Sequence, residues 1–124
     1  MKNKSIDQSF KNAFNGFCQA VADERNMKIH IVVAIMVIIL GMLFKLDTPR
    51  WMAVIFAIGL VFVCELFNTA IELLTDMVSP EYSKQAKRVK DTSAAAVLVS
   101  AVISVIIGTI VFLGPIIDLL SFGI

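Results

Sequence analysis

Glu65-Leu66-Phe67-Asn68-Thr69-Ala70-Ile71-Glu72-Leu73-Leu74-Thr75-Asp76 sets three carboxylates and an amide into a run otherwise as apolar as a membrane span. On an α-helix turning ~100° per residue, Glu65, Asn68, Glu72 and Asp76 fall within roughly 80° of one another and form one polar stripe on an apolar rod. An acid at mid-bilayer costs about 2.5–3.5 kcal/mol on insertion scales, and such residues usually line a cavity or a pathway. The stripe is therefore where function is to be sought.

The chain around it is equally apolar. Over 124 residues it is 58% hydrophobic and 17% charged, with a mean hydropathy of +0.85, too apolar for a soluble domain of this size. An integral membrane protein is expected, all-α. The net charge of +1 gives no sign of a nucleic-acid partner. Cys18 and Cys64 lie in different segments without Cys-x-x-Cys spacing, so neither a disulfide framework nor a zinc site is expected. The N-terminus shows no compact apolar core followed by a small-residue cleavage site, and the first segment reads as mature protein.

Over about 5–22, Ile6, Phe10, Ala13, Phe14, Phe17 and Val21 share one side of a helical wheel while Gln8, Lys11, Asn12, Asn15 and Gln19 take the other. That is an amphipathic helix suited to a membrane surface or to the protein's own spans. Spans are expected at about 28–46, 51–78 and 92–120, with Pro49 in the first turn of the second. The segment 79–91 reads as a polar connector holding Lys84, Lys87, Arg88 and Lys90. The absence of repeats or flexible linkers makes 1–124 one unit.

By the positive-inside rule, the 79–91 connector and the N-terminal segment, with Lys2, Lys4, Lys11, Arg25 and Lys28, are cytoplasmic. Glu65 is then near mid-depth, and Glu72 is about 10 Å nearer the cytoplasm at ~1.5 Å per residue. In the third span Ala96, Ser100, Ser104 and Gly108 recur every fourth residue, a seam that would let helices approach closely in lipid. Three helices can hardly enclose a polar stripe, which makes an oligomer the expected way to cover it.

Glu24, the stripe, the basic connector and Asp91 converge on one half of the membrane. Carboxylates suit magnesium, which takes one or two of them and completes its shell with water and phosphate oxygens. Lysines and arginines beside them suit a polyphosphate, and a buried acid can act as base toward a hydroxyl. Together these are parts of a phosphoryl-transfer site without the glycine-rich loops of P-loop enzymes or protein kinases. An intramembrane acid stripe also fits a small proton or cation conductor. A relay, however, has no need of Glu24, Lys90 and Asp91 at its mouth.

Glu65-Leu66-Phe67-Asn68-Thr69-Ala70-Ile71-Glu72, then Asp76, Glu81-Tyr82, and Lys90-Asp91 followed by Ala94-Ala95-Ala96-Val97, resembles the prokaryotic diacylglycerol kinase family of small membrane lipid kinases. The resemblance implies a homotrimer in the bacterial cell membrane, each subunit carrying a surface helix and three spans, with active sites at the cytoplasmic face. It implies Glu65 as base on the lipid hydroxyl, supported by Asn68, and Glu24 and Glu72 as ligands of the Mg2+ that accompanies ATP. Glu24, Glu72, Glu81, Tyr82, Ser83, Lys90 and Asp91 would contact the nucleotide, and Glu65, Asn26, His30 and Ala94 the lipid. The run Glu24-Arg25-Asn26-Met27-Lys28-Ile29-His30 looks more like the Gram-positive branch, whose members phosphorylate undecaprenol, than like the branch acting on diacylglycerol. Ser5 and Asn12 also stand where that second branch tends to carry a basic residue and a Tyr.

Overall fold

The computed structural model describes residues 5–122 as four helices: α1 (Ile6–Asp23), α2 (Arg25–Leu43), α3 (Thr48–Val78) and α4 (Lys84–Phe122). Lys2 and Lys4, counted above toward the basic N-terminal segment, lie outside the described residues. The chain is all-α, and α2, α3 and α4 are long and apolar enough to cross a membrane. Val32, Ile35, Met36 and Ile39 on α2 are each more than half exposed, as befits a surface that lipid tails cover as readily as protein does.

Local chemistry sets each boundary. The Ser5 side chain accepts from the Gln8 N–H at 3.2 Å and starts α1. Glu24, extended at φ −106° and ψ 119°, is the single residue separating α1 from α2. The helix of the first span begins at Arg25 and stops at Leu43, short of the expected Leu46. The reason is a Schellman turn: Lys45 takes φ 52°, its N–H donates to Met42 O at 3.2 Å, and the Leu46 N–H donates to Gly41 O at 3.1 Å. Asp47 then caps α3 by accepting from the Arg50 N–H at 3.2 Å, with Pro49 in the first turn.

The connector is shorter than hydropathy suggested. Ser83 Oγ accepts from the Ala86 N–H at 3.0 Å, and 84–91 form the first two turns of α4 rather than a loop. Lys, Gln, Ala and Arg are strong helix formers, and their polarity reports where the chain leaves the membrane, not where the helix ends. Only residues 79–83 connect α3 to α4.

α3 is the hub, touching each of the other three helices. At the end near the α2–α3 turn, Leu46, Val54 and Val111 form a core with Trp51, Phe44 and Phe112 around it. The Phe44 and Phe112 rings lie 6.1 Å apart. Gly41 admits Trp51 there, because a Cβ at residue 41 would fall 2.7 Å from Trp51 Cη2. Phe17 brings α1 onto α3 through Phe62, their ring centroids 6.2 Å apart.

The small-residue seam of α4 holds only at its centre. Ser100 is buried, and the Ser104 hydroxyl lies 3.1 Å from the Ala57 carbonyl of α3. Ala96 is exposed, and a Cβ at Gly108 would meet nothing within 4 Å. A strict four-residue repeat drifts by ~40° per step on a 3.6-residue helix, so its two ends rotate off the contact.

Candidate active site

Every polar group of the α3 stripe except Glu72 is tied to a neighbouring helix. Glu65, 1% exposed, lies with Oε1 3.0 Å from His30 Nε2 on α2. Asn68, also buried, has Oδ1 2.7 Å from the Ser93 hydroxyl of α4, whose single proton also faces the Lys90 carbonyl at 2.9 Å. Asp76 Oδ1 holds Lys90 Nζ at 2.5 Å. These pairs fix the start of α4 against the later half of α3. They also fix the start of α2 against its middle.

Glu72 is half-buried on the same face. Glu24 stands at the α1–α2 junction, where its side chain makes no cap hydrogen bond. Burial first, then the charges of Glu72, Glu65 and Asp23, push the Glu24 carboxyl above its ordinary value of 4.5. Carboxylates whose charges oppose one another suit a cation. Among the described residues no three His, Cys, Asp or Glu side chains close into a metal cage. Two carboxylates open to water and phosphate are what magnesium uses, so Glu24 and Glu72 fit that ion. Three residues before Glu72 on α3, Thr69 Oγ1 is buried without a hydrogen-bond partner among the described residues.

An apolar groove of about 390 Å³ runs between α2, α3 and α4. Its walls include Val33 and Val37, Val61 and Phe62, and Val105 and Gly108, and His30 is one of its few polar lining residues. The residue that holds Glu65 therefore also lines the groove.

Lys90 and Asp91, adjacent in sequence, part company on α4. Lys90 turns to Asp76, whereas Asp91 Oδ2 pairs with Lys87 Nζ at 2.6 Å. Asp91 lines a second, more open concavity of about 490 Å³ with Tyr82, Lys84, Lys87 and Arg88. Of the expected nucleotide residues, Glu24, Glu72 and Lys90 belong to the inner group, and Tyr82 and Asp91 to the outer one. Ser83 caps α4, and the Glu81 carbonyl accepts from the Ser79 hydroxyl at 3.0 Å, so this short segment is ordered by its own turn. Asn26 and Ala94 are exposed, outside the buried cluster. Ser93 was not among the expected residues. Its signal was the Ser93, Ser100, Ser104 spacing of seven and four, which follows the helix face better than the repeat from Ala96.

Known proteins with similar sequences place the chain in a family. The profile of the family described as prokaryotic diacylglycerol kinase matches residues 11–112. The undecaprenol kinase of Bacillus subtilis is 42% identical over 86% of each chain. A diacylglycerol kinase of Synechocystis is 35% identical over 90% of this chain and 65% of its own length, and that of Escherichia coli K12 is 27% identical over 76% and 77%. With the family's profile spanning most of the chain, including the acid stripe and the Lys90 turn, this protein belongs to the prokaryotic diacylglycerol kinase family of membrane lipid kinases.

Proposed function

We propose that the protein is an ATP- and Mg-dependent undecaprenol kinase, working as a homotrimer at the cytoplasmic face of a bacterial cell membrane. The observation that carries the reading is Glu65, a buried carboxylate with Oε1 held by His30, a residue that also lines an apolar groove. A long lipid alcohol lying in that groove would bring its hydroxyl to Glu65.

In this mechanism the acceptor O–H bond breaks as Glu65 takes the proton. The oxygen forms its bond to the γ-phosphorus while the bridge to ADP breaks, with no phosphoenzyme between. When bound, Mg2+ supplies charge neutralisation on the phosphates, and Glu24 and Glu72 are the residues that would hold it. Asn68, its Oδ1 engaged by Ser93, would support the base. Lys90 and Asp91, with Glu81, Tyr82 and Ser83, would meet the nucleotide. Ile6, Phe10 and Phe14, each 66–74% exposed along α1, are the face on which that helix would rest on the membrane. The basic residues of α1, of the α2 start and of the α4 start support the cytoplasmic orientation.

Undecaprenol is favoured by the name of the Bacillus relative, and diacylglycerol by the names of the Synechocystis and E. coli relatives. Labelled ATP offered with undecaprenol and with a short-chain diacylglycerol in the same micelles separates them. Product from undecaprenol is expected in excess. A preference for diacylglycerol would overturn the acceptor, and no product from either lipid would overturn the kinase reading.

A further inference from the structure

A carboxylate as buried as Glu65 needs a partner, and among the described residues its side chain has one, His30. A carboxylate that is to take a proton as base only accepts hydrogen bonds, so Glu65 in that role calls for the ring proton on His30 Nε2. Oε1 is thereby engaged, while Oε2 has no hydrogen-bond partner among the described residues. The His30 side chain is 23% exposed against 2% for Glu65, and the ring forms part of the groove wall. One imidazole therefore touches both the buried acid and the space where an apolar chain would lie.

We infer that His30 is a positioning residue for Glu65: its Nε2–H holds Oε1, fixes the plane of the carboxylate, and presents Oε2 to the acceptor hydroxyl at the groove. This rests on the lipid-kinase reading with Glu65 as base, and it gives His30 a task other than gripping the lipid. An imidazole N–H supplies direction without a fixed positive charge, which a lysine or arginine at residue 30 would bring. The 35 residues between His30 and Glu65 place the two on different helices. The register of α2 on α3 therefore sets the aim of the base.

The test compares wild type, His30→Leu and His30→Gln in phosphate transfer from ATP to undecaprenol in mixed micelles. The glutamine amide N–H reaches roughly where Nε2–H sits, and leucine offers no donor. A misplacement of about 1 Å costs on the order of 100-fold. His30→Leu is therefore expected to lower kcat by about 10–100-fold with the KM for ATP within about twofold, and His30→Gln to recover to within about threefold of wild type. Should His30→Leu not fold, His30→Asn, whose amide falls short of the Nε2 position, replaces it. Because His30 acts through Glu65, its loss should change the residual rate of Glu65→Gln by less than about twofold, whereas independent roles would multiply. A His30→Leu enzyme as fast as wild type, a His30→Gln enzyme as slow as His30→Leu, or multiplicative losses with Glu65→Gln would each overturn the inference while wild-type transfer left the kinase reading standing. Wild-type protein that phosphorylates neither lipid would overturn that reading and this inference with it.

Discussion

Replacing Gly41 by alanine should reverse its effect on stability according to what occupies residue 51. A Cβ at Gly41 would lie 2.7 Å from Trp51 Cη2 and 3.1 Å from both Trp51 Cζ2 and Leu46 Cδ1. Carbon atoms rest about 3.5–4.0 Å apart, so the rigid indole must move by roughly 1 Å. Overpacking of that kind costs about 1–3 kcal/mol. Against it stands the gain of about 0.5–1 kcal/mol when glycine in a helix interior becomes alanine. The net for Gly41→Ala is a loss near 1 kcal/mol by this reckoning. In a Trp51→Leu background the clashing ring atoms are gone and the Leu46 methyl can swing away. There the same change should stabilise by about 0.5–1 kcal/mol. Unfolding of the four proteins by SDS in one detergent gives the cycle, with a coupling expected at about 1–3 kcal/mol. Gly41→Ala effects that agree in the two backgrounds within about 0.3 kcal/mol would refute the packing argument. Gly41 belongs to the end of the bundle remote from Glu65, so kcat should be unchanged.

Two further outcomes concern the site itself. The folded protein binds the Glu24 proton more tightly than the unfolded chain, so stability falls as pH rises from about 4.5 through the higher folded value. Glu24→Gln should therefore unfold at a higher temperature than wild type at neutral pH in EDTA. The difference should vanish below the ordinary carboxylate value and narrow when Mg2+ is added; an equal gap at both pH values would contradict it. Ser93→Ala strips Asn68 Oδ1 of its buried donor, and interhelical side-chain bonds in membranes contribute about 0.6 kcal/mol on average and about 1.7 at most. A loss near 1 kcal/mol is expected in SDS unfolding, and little further loss when Asn68 is already alanine.

What could be read from the chain beforehand follows from what one-dimensional patterns record. The spacing of Glu65, Asn68, Glu72 and Asp76 is a property of a single helix, so the stripe was visible at once. The three spans were visible through hydropathy, and Pro49 marked the start of α3. Hydropathy did not reveal that 84–91 are helical, because it tracks solvent and not backbone. The partners of the stripe were out of reach for another reason. His30 and Ser93 meet Glu65 and Asn68 across 35 and 25 residues, and only the register of packed helices fixes such pairs. The divergence of Lys90 and Asp91 was implicit in ~100° per residue, but which of them faces α3 depends on where α4 settles.

The helical extension of α4 carries a consequence for the entropy of ligand capture. Thirty-nine residues at ~1.5 Å each make a rod of about 58 Å, almost twice the ~30 Å hydrocarbon layer. Lys84, Lys87, Arg88 and Lys90 therefore stand on a continuous post instead of a floppy strap, and the Asp76–Lys90 pair braces that post against α3. Cations on a disordered loop would surrender about 1–2 kcal/mol of backbone freedom per residue as they gathered around an anion. Here folding has already ordered that backbone. Were the proposed nucleotide to bind there, it would need only to settle the side chains.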